Sequence, residues 1–367
     1  MVVRVALQCN EADAYLIMSE DNPAPRLLSR PGEAIYNDDG GSLQGNSPFQ
    51  IVWLADQTRD EWLDKATSAA MKKKVSREPI VFEGNAPANV RDNPVLRDLL
   101  NANSITLTKS PRIWLGAPNS IKGPTEAMFN RQSGNHLLIV GQREEAALAM
   151  LVTAQIALAA QLAKAAAKIF VFDCSPPDSA EARTLARVAQ TIPGGVKIVS
   201  STEAPEVIAE ISAELDRRNA NPGGDAPSHF LLVHGLQQNK KLRFDEEASF
   251  SLDPAASAGN PGLLFNKLIT EGASQGVHVI ATCDTYNNVM RMLSRKALSE
   301  FEMRVVFQMS ANDSASLIES PAANNLGLHR AILHNGQQGW METFRPYALP
   351  DEGWLAEAAG RLAKLHP

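Results

Sequence analysis

Short runs of apolar, mostly β-branched residues alternate with longer helical stretches between residues 136 and 308. Six of these runs are predicted to be strands: 136–140, 169–173, 196–199, 230–233, 277–282 and 304–308. Four predicted helices separate most of the strands: 145–168, 179–190, 205–218 and 261–271. This alternation is typical of a mainly parallel sheet with helices on both faces, so the pattern predicts an α/β fold.

Composition narrows the function classes. The chain has 367 residues, is 44% hydrophobic and carries a formal net charge of −6. The mild acidity argues against a strongly basic nucleic-acid-binding surface, although it allows a local basic patch. Three well-separated cysteines and the lack of a signal peptide indicate a cytoplasmic protein, with membrane association left open for regions outside this chain.

The two ends of the chain resemble each other. The first copy, VRVALQCNEADAYLI, spans 3–17, and the second, MRVVFQMSANDSASLI, spans 303–318. The matched residues are Arg4 with Arg304, Val5 with Val305, Gln8 with Gln308, Asp13 with Asp313, Ala34-Ile35 with Ala331-Ile332, and Phe49-Gln50 with Phe344-Arg345. Each copy is predicted to form a strand, a turn, a short helix and a hairpin. We interpret the match as a duplication, with chance similarity of two strand–turn units as the alternative.

The repeat predicts the domain organisation. The second copy would close a complete α/β module at 105–347, followed by a C-terminal helix at 348–367. The first copy has no such module body before it. Residues 1–65 are therefore interpreted as the small β-rich, C-terminal tail of a preceding module, and 66–104 as a connector. On this interpretation the chain is a piece of a longer protein with tandem modules.

The junction after strand 136–140 is where a nucleotide-binding module carries GxxxxGK[ST]. Residues 141–148 are GQREEAAL, so Gly141 alone matches, and alanine and leucine replace the lysine and the hydroxyl residue. Glu144 and Glu145 add negative charge where phosphates would bind. Two unit charges of the same sign 5 Å apart repel by about 3 kcal/mol at an effective dielectric constant of 20, whereas acidic residues stabilise the first turn of a helix. The sequence predicts a nucleotide pocket that has lost its chemistry.

A second strand end supports this prediction. Phosphoryl-transfer ATPases commonly orient magnesium or water with an acidic residue, but strand 230–233 ends in His234. A lone histidine in this position is more often a hydrogen-bonded structural residue than a ligand or base. No catalytic residue and no metal site are predicted. The predicted degenerate pocket consists of Gly141, Gln142, Arg143, Glu144, Glu145, Ala146, Ala147, Leu148, His234 and Asp284.

The sequence resembles the FtsK/SpoIIIE (HerA–FtsK) class of RecA-like motor ATPases at two places. EGASQGVHVIATCDT at 271–285, followed by the second repeat copy and its hairpin, resembles the end of the motor domain in that class. The first copy resembles the same region through Asp13 and the hairpin LLSRPGEAIY at 27–36. The resemblance implies a RecA-like fold, with tandem modules of which some are degenerate, as is typical of the type VII secretion branch.

The resemblance also implies an assembly. DNA-pumping members of the class form hexameric rings, and Arg4 and Arg304 match an arginine position near their subunit boundaries. We predict both as interface residues, with a surface arginine at a strand start as the alternative. Members that hydrolyse ATP keep the GK[ST] motif and the acidic strand end, and this chain has neither. Its strand also continues as ATCDT, where the family often has ATQRP.

We therefore expect a catalytically degenerate ATPase-like module of an FtsK/SpoIIIE-type DNA translocase, with a structural, ring-assembly or regulatory role. This chain is not expected to be an enzyme, and ATP with magnesium is expected only in other modules of the full-length translocase. The expected partners are those modules, further copies in a homo-oligomeric ring, and DNA or a protein. Two alternatives stay open: a partner- or peptide-binding module of a type VII-like secretion ATPase, and an active ATPase with unusual motif residues.

Overall fold

The chain divides into two compact units, residues 1–82 and 83–367. The computed structural model describes residues 2–73, 85–106, 108–163, 166–176, 178–221, 226–246 and 259–366. The division differs from the predicted connector at 66–104. A single helix runs through its first residues, and residues 88–100 pack into the core of the larger unit. Residues 74–84 of that predicted connector lie outside the described residues.

The smaller unit is built around a three-stranded antiparallel sheet. Its elements are β1 (Arg4–Leu7), α1 (Glu11–Ile17), β2 (Glu33–Asn37), β3 (Asn46–Gln50) and α2 (Asp56–Lys72). Helix α1 begins where the side-chain oxygen of Asn10 accepts a hydrogen bond from the Asp13 backbone N–H at 2.9 Å. Ala6, Met18 and Ile35 form the core of this unit between α1 and the sheet.

The larger unit contains a ten-stranded sheet of order β5-β4-β13-β12-β11-β6-β10-β9-β7-β8. Its strands are β4 (Arg112–Pro118), β5 (Thr125–Met128), β6 (Leu137–Val140), β7 (Ala167–Asp173), β8 (Val196–Ser200), β9 (Ser228–His234), β10 (Val277–Cys283), β11 (Met303–Val306), β12 (Ala331–Asn335) and β13 (Trp340–Pro346). The six strands from β11 to β8 in this order are parallel, and β12, β13, β4 and β5 extend the sheet antiparallel. The predicted strands and the predicted α/β class are confirmed.

Helices cover both faces of this sheet. They are α3 (Pro94–Leu100), α4 (Glu144–Gln161), α5 (Ala180–Thr191), α6 (Ala204–Ala220), α7 (Pro261–Glu271), α8 (Tyr286–Met292), α9 (Arg295–Ser299), α10 (Ala311–Ile318) and α11 (Glu352–Leu365). One core includes α3, α4, α5 and α11, and the other includes α6 to α10. Alternate residues of β6 point into the two cores, as the period of a strand requires: Leu137 and Ile139 into one, Leu138 and Val140 into the other.

The predicted helix at 145–168 is too long at its C-terminal end. Helix α4 ends at Gln161, because Leu162 takes an extended conformation with φ −121° and ψ 122°. The chain then enters β7 at Ala167, which pairs with Ser228 of β9. Alanine and lysine favour a helix in this stretch, but strand pairing outweighs that preference. Every helix in the described residues is too short or too polar to cross a lipid bilayer.

The two copies of the repeat have the same topology and the same strand register. Arg4 lies opposite Asn37 in the β1–β2 pair, and Arg304 lies opposite His334 in the β11–β12 pair. In the hairpins, Ala34 faces Phe49 and Ala331 faces Phe344. The matched residues are therefore equivalent in three dimensions as well as along the sequence.

Candidate functional site

The predicted pocket residues gather at one edge of the large sheet. Parallel strands β6, β10, β9 and β7 all end there, at Val140, Cys283, His234 and Asp173. Ligands of open α/β sheets bind in the crevice outside these carboxyl ends. The topology alone therefore directs attention to this edge.

Gly141 makes the turn from β6 into α4. Its φ of 139° lies in the region that favours glycine, and its backbone N–H donates to the Cys283 carbonyl at 3.0 Å. An added Cβ would lie 2.8 Å from the Cβ of Phe307. The glycine is therefore required by the backbone conformation and by close packing against the residue that follows β11.

Helix α4 begins earlier than a phosphate loop would allow. In GxxxxGK[ST], four residues separate the two glycines and form the loop whose N–H groups hold phosphate. Here Glu144 and Glu145, the third and fourth of these positions, are already helical. The backbone N–H of Ala147 donates to the Arg143 carbonyl at 2.9 Å, as the first turn of a helix requires. The wide loop of the motif is absent from this junction.

The side chains needed for phosphate chemistry are also missing from this turn. Ala147 stands at the lysine position and is 6% exposed, and Leu148 stands at the hydroxyl position and is 4% exposed. Both belong to the apolar core between α4 and the sheet. These two positions contribute packing and no charge.

A cavity of about 270 Å³ contains five of the predicted pocket residues. Gly141, Glu144, Ala147, His234 and Asp284 all line it. Sequence reasoning missed other residues of its wall, among them Ser175, Glu181, Gln237, Gln238 and Thr282. The missed residues follow or precede the ends of β7, β9 and β10, so the strand-end rule could have found them.

His234 is held in the wall of this cavity. Its Nδ1 lies 3.0 Å from Ser175 Oγ, and its backbone carbonyl accepts from the Cys174 N–H at 3.2 Å. Burial lowers the pKa of His234, although the negative charges of Asp173, Glu181 and Glu144 oppose that shift. The imidazole is therefore neutral at pH 7 and hydrogen-bonded, which fits a structural role.

Asp284 is held by its own helix. Its Oδ1 accepts from Asn288 Nδ2 at 2.8 Å and from Thr285 Oγ1 at 3.3 Å. These bonds join the carboxylate to the start of α8, where Thr285 accepts from the Asn288 N–H. The carboxylate lines the cavity but also fixes the turn after β10.

Four further residues of the predicted pocket line a second cavity of about 280 Å³ at the α4 N-terminus, whereas Leu148 lines neither cavity. Gln142, Arg143, Glu145 and Ala146 lie in its wall, and Glu144 borders both cavities. The rest of the wall consists of His329 and six mostly apolar residues: Pro87, Phe307, Leu328, Pro346, Tyr347 and Ala348. The predicted pocket is therefore two cavities that meet at one helix end.

Arg4 and Arg304 make equivalent contacts inside the two repeat copies. Arg4 Nη1 donates to the Ile17 carbonyl at 3.1 Å and to the Met18 carbonyl. Arg304 donates to the carbonyls of Leu317 at 2.6 Å, Phe301 at 2.8 Å and Leu298 at 3.1 Å. Each arginine thereby joins its strand to the end of the helix that follows, which gives both a structural role in their own unit.

Comparison with known proteins rests on structure alone. No protein-family model matches the sequence, and no curated protein matches it. The cytoplasmic domain of the type VII secretion ATPase EccC from Thermomonospora curvata matches with a TM-score of 0.54 and 13% identity, covering 99% of this chain and 43% of that one. EssC (ATPases 2 and 3) from Geobacillus thermodenitrificans gives 0.51 and 12%, covering 79% and 52%. The pCW3 conjugation coupling protein TcpA gives 0.51 and 10%, covering 92% and 91%.

The chain has the fold of FtsK/SpoIIIE-like ATPases. The neighbours are RecA-like P-loop translocases, which confirms the RecA-like fold expected from the sequence. The chain spans about half the length of the EccC and EssC chains that it matches. At 10–13% identity the structural similarity establishes the fold but does not assign a role to any residue.

Proposed function

We propose that this chain is a catalytically degenerate, ATPase-like module of an FtsK/SpoIIIE-type translocase, with a structural, ring-assembly or regulatory role. The observation that carries this proposal is the start of α4 at Glu144. That helix start replaces the wide phosphate loop, presents two carboxylates and buries the lysine and hydroxyl positions as Ala147 and Leu148. Strand β9 ends in a neutral histidine instead of an acidic residue.

Nucleotide binding tests the proposal directly. We expect no saturable binding of a fluorescent ATP analogue with magnesium up to about 1 mM, the weak end of protein–ligand affinities, and no release of phosphate. Low-micromolar affinity with turnover would instead support the active ATPase with unusual residues.

A variant separates the two reasons for weak binding. Glu144→Gln with Glu145→Gln removes the two carboxylates of the first turn but leaves the short loop. If the missing loop is decisive, this variant also fails to bind nucleotide. Binding that appears in the variant would show that repulsion alone keeps the nucleotide out.

The partners of such a module would be other RecA-like modules of the same polypeptide and further copies in a homo-oligomeric ring. DNA and protein both remain candidates for the translocated polymer. EccC is a type VII secretion ATPase and TcpA is a conjugation coupling protein, so neighbours of this fold include both kinds of protein. The full-length protein is proposed to be an ATP-driven translocase whose ATP and magnesium bind in modules other than this one.

A second candidate function is peptide or partner binding. The second cavity favours it, because its lining includes the apolar groups of Phe307, Leu328 and Tyr347, of which Leu328 is 60% exposed. A cavity filled by the chain's own side chains would have argued against peptide binding. One structural neighbour, EccC (ATPases 2 and 3) from T. curvata, was solved in complex with a signal sequence peptide.

Selection of peptides on phage tests this candidate. Peptides selected against the wild-type chain should bind Leu328→Glu at least about tenfold more weakly, a loss of about 1.4 kcal/mol. Leu43→Glu is the matched control, because Leu43 is 57% exposed in the smaller unit and Leu328 is 60% exposed. Equal binding to all three proteins would exclude the second cavity as the binding site.

A further inference from the structure

One face of the smaller unit's sheet is apolar and exposed. Val3, Val5 and Leu7 of the β1 region, Tyr36 of β2 and Phe49 of β3 form this open face, and each is 37–57% exposed. The opposite face is closed, since Ala6 and Ile35 pack against Met18 at the end of α1. Contiguous exposed apolar side chains of this kind mark an interaction surface.

The equivalent face of the second copy is buried. The register of the repeat places Met303, Val305, Phe307, Leu333 and Phe344 at the five equivalent positions. Each of these residues is at most 5% exposed and belongs to the core that contains Leu137, Ile139 and helix α4. At two further equivalent positions, Ala34 and Ala331 are buried in both copies, and the polar residues Ser47 and Glu342 lie opposite Tyr36 and Leu333.

The residues of the two faces are closely matched. Val5 equals Val305 and Phe49 equals Phe344, and Leu7 stands for Phe307. Large apolar or aromatic side chains in the same register, identical at two of the five positions, are therefore covered in one copy and uncovered in the other. The difference lies in the covering elements, not in the face.

The edge of β1 corresponds to an edge that is paired with another strand in the second copy. In the described part of the chain, β1 is an edge strand, paired with β2. Its counterpart β11 lies between β12 and β6, and Val305 is opposite Ile139 in the parallel pair with β6. An edge strand is a template for strand addition.

We propose that the open face and the edge of β1 bind a parallel strand followed by an apolar helix, supplied by the body of another RecA-like module that lies outside this chain. The occupant would pair with β1 as β6 pairs with β11, and its helix would cover the open face as α4 covers the second copy. This inference rests on the repeat, so it stands or falls independently of whether the larger unit binds nucleotide.

A second copy of this chain fits the surface less well. A twofold dimer would pair two β1 edges antiparallel, whereas the equivalent strand pairs in parallel. It would also leave the face without an apolar helix. The unit's own α2 is largely polar (DQTRDEWLDKATSAAMK) and has no buried residue, in contrast to EEAALAMLVTAQIALAAQ of α4.

Replacing the second repeat copy by the first within the full chain tests whether the open face fits against α4 and β6. Residues 303–345 are replaced by a second copy of residues 3–50, which places the open face beneath α4 and beside β6. We expect this chimera to keep a cooperative thermal transition of the larger unit. Met303→Val with Phe307→Leu is the smaller exchange, since it transfers the β1 face alone and needs no new loop.

The same substitution is then expected to have different effects in the original copy and in the grafted copy. Val5→Asp at its own position should leave the melting temperature within about 2 °C of the wild type, because exposed sites are tolerant. The same substitution in the grafted copy should lower the melting temperature by at least about 10 °C, as Val305→Asp should in the wild-type chain, because the charge would be buried.

Three results would overturn the proposal. The first is loss of the large-unit transition in both the chimera and the smaller exchange. The second is tolerance of the aspartate in the grafted copy. The third is a dimer of the wild-type chain in sedimentation velocity that Val5→Asp dissociates, because the face would then belong to a second copy. A monomeric wild-type chain with the expected pair of aspartate effects supports it.

Discussion

Acid should destabilise the larger unit through two histidines in its core. His136 and His278 are at most 1% exposed and lie among Phe129, Phe230 and Phe301. His136 Nδ1 accepts from the Val279 N–H at 2.9 Å, so its Nε2 donates to the Ile269 carbonyl at 2.8 Å. His278 Nδ1 donates to the Asn135 carbonyl at 2.9 Å. The His136 bonds define a neutral imidazole.

The size of the loss of unfolding free energy in acid follows from the pKa values of the two histidines. Burial, together with the nearby His278, lowers the pKa of His136 from 6.5 to about 3, and burial lowers the pKa of His278 to about 4. Both values lie below the unfolded value, so their stabilising effect is complete above pH 6.5 and is lost as the pH falls towards 4. At pH 5, 1.5 units below 6.5, each histidine costs about 2 kcal/mol of unfolding free energy.

Urea unfolding at pH 7 and pH 5 measures this cost. His278→Asn keeps a donor near Nδ1 and removes one titrating group, so its loss between pH 7 and pH 5 should be about 2 kcal/mol smaller than that of the wild type. Phe230→Leu is the control, because Phe230 stacks on His278 at 5.2 Å and does not titrate. This control should be less stable at both pH values with the wild-type pH dependence. An unchanged pH dependence in His278→Asn would refute the reasoning.

Three further predictions concern single positions. Gly141→Ala should lower the unfolding free energy by about 1–3 kcal/mol, because φ is positive and the new Cβ would meet Phe307, whereas Gly123→Ala, with no atom within 4 Å, should not. Arg304→Met should cost about 2–3 kcal/mol by removing hydrogen bonds to three carbonyls, of which that of Leu298 keeps the Phe301 N–H as a donor, and equal stability of Arg304→Met and the exposed-site control Arg295→Met would contradict this. Ellman's reagent at pH 8 should modify Cys9 first, since burial raises the pKa of Cys174 and Cys283 to about 12, and fast reaction of all three thiols without urea would be inconsistent with this burial.

The parallel strands of the larger unit were predictable because they are buried on both faces. Phe230–Val233 in β9 is apolar throughout, and Val277–Thr282 in β10 is apolar or β-branched except for the buried His278, so no solvent-facing position interrupts either run. Strand β4 gave no such signal, because Gly116 and Pro118 resemble a turn. Its glycine is required for another reason: a Cβ at Gly116 would lie 2.0 Å from the Arg345 carbonyl oxygen of β13.

The position of the candidate site at the strand ends was predictable, whereas its shape and several of its wall residues were not. The strand ends placed His234 and Asp284 near Gly141, and the structure gathers them around one cavity. The separation of the predicted pocket into two cavities depends on where α4 begins. A motif read along the sequence cannot supply that boundary, since glutamate suits both a loop and the first turn of a helix.

The surviving Gly141 is weak evidence for phosphate binding, although it is the one residue that matches the nucleotide motif. The positive φ and the contact with Phe307 require a glycine at this turn, and the backbone N–H of this residue bonds to the Cys283 carbonyl. These requirements would hold even in a chain that never binds nucleotide. The positions where the motif holds a lysine and a hydroxyl residue are Ala147 and Leu148, which contribute packing and no charge. On our proposal, a glycine at the turn and apolar side chains at the two chemical positions are what folding alone requires of this junction. If nucleotide binding were still required, we would expect the reverse: charge kept near α4 and packing allowed to vary around it.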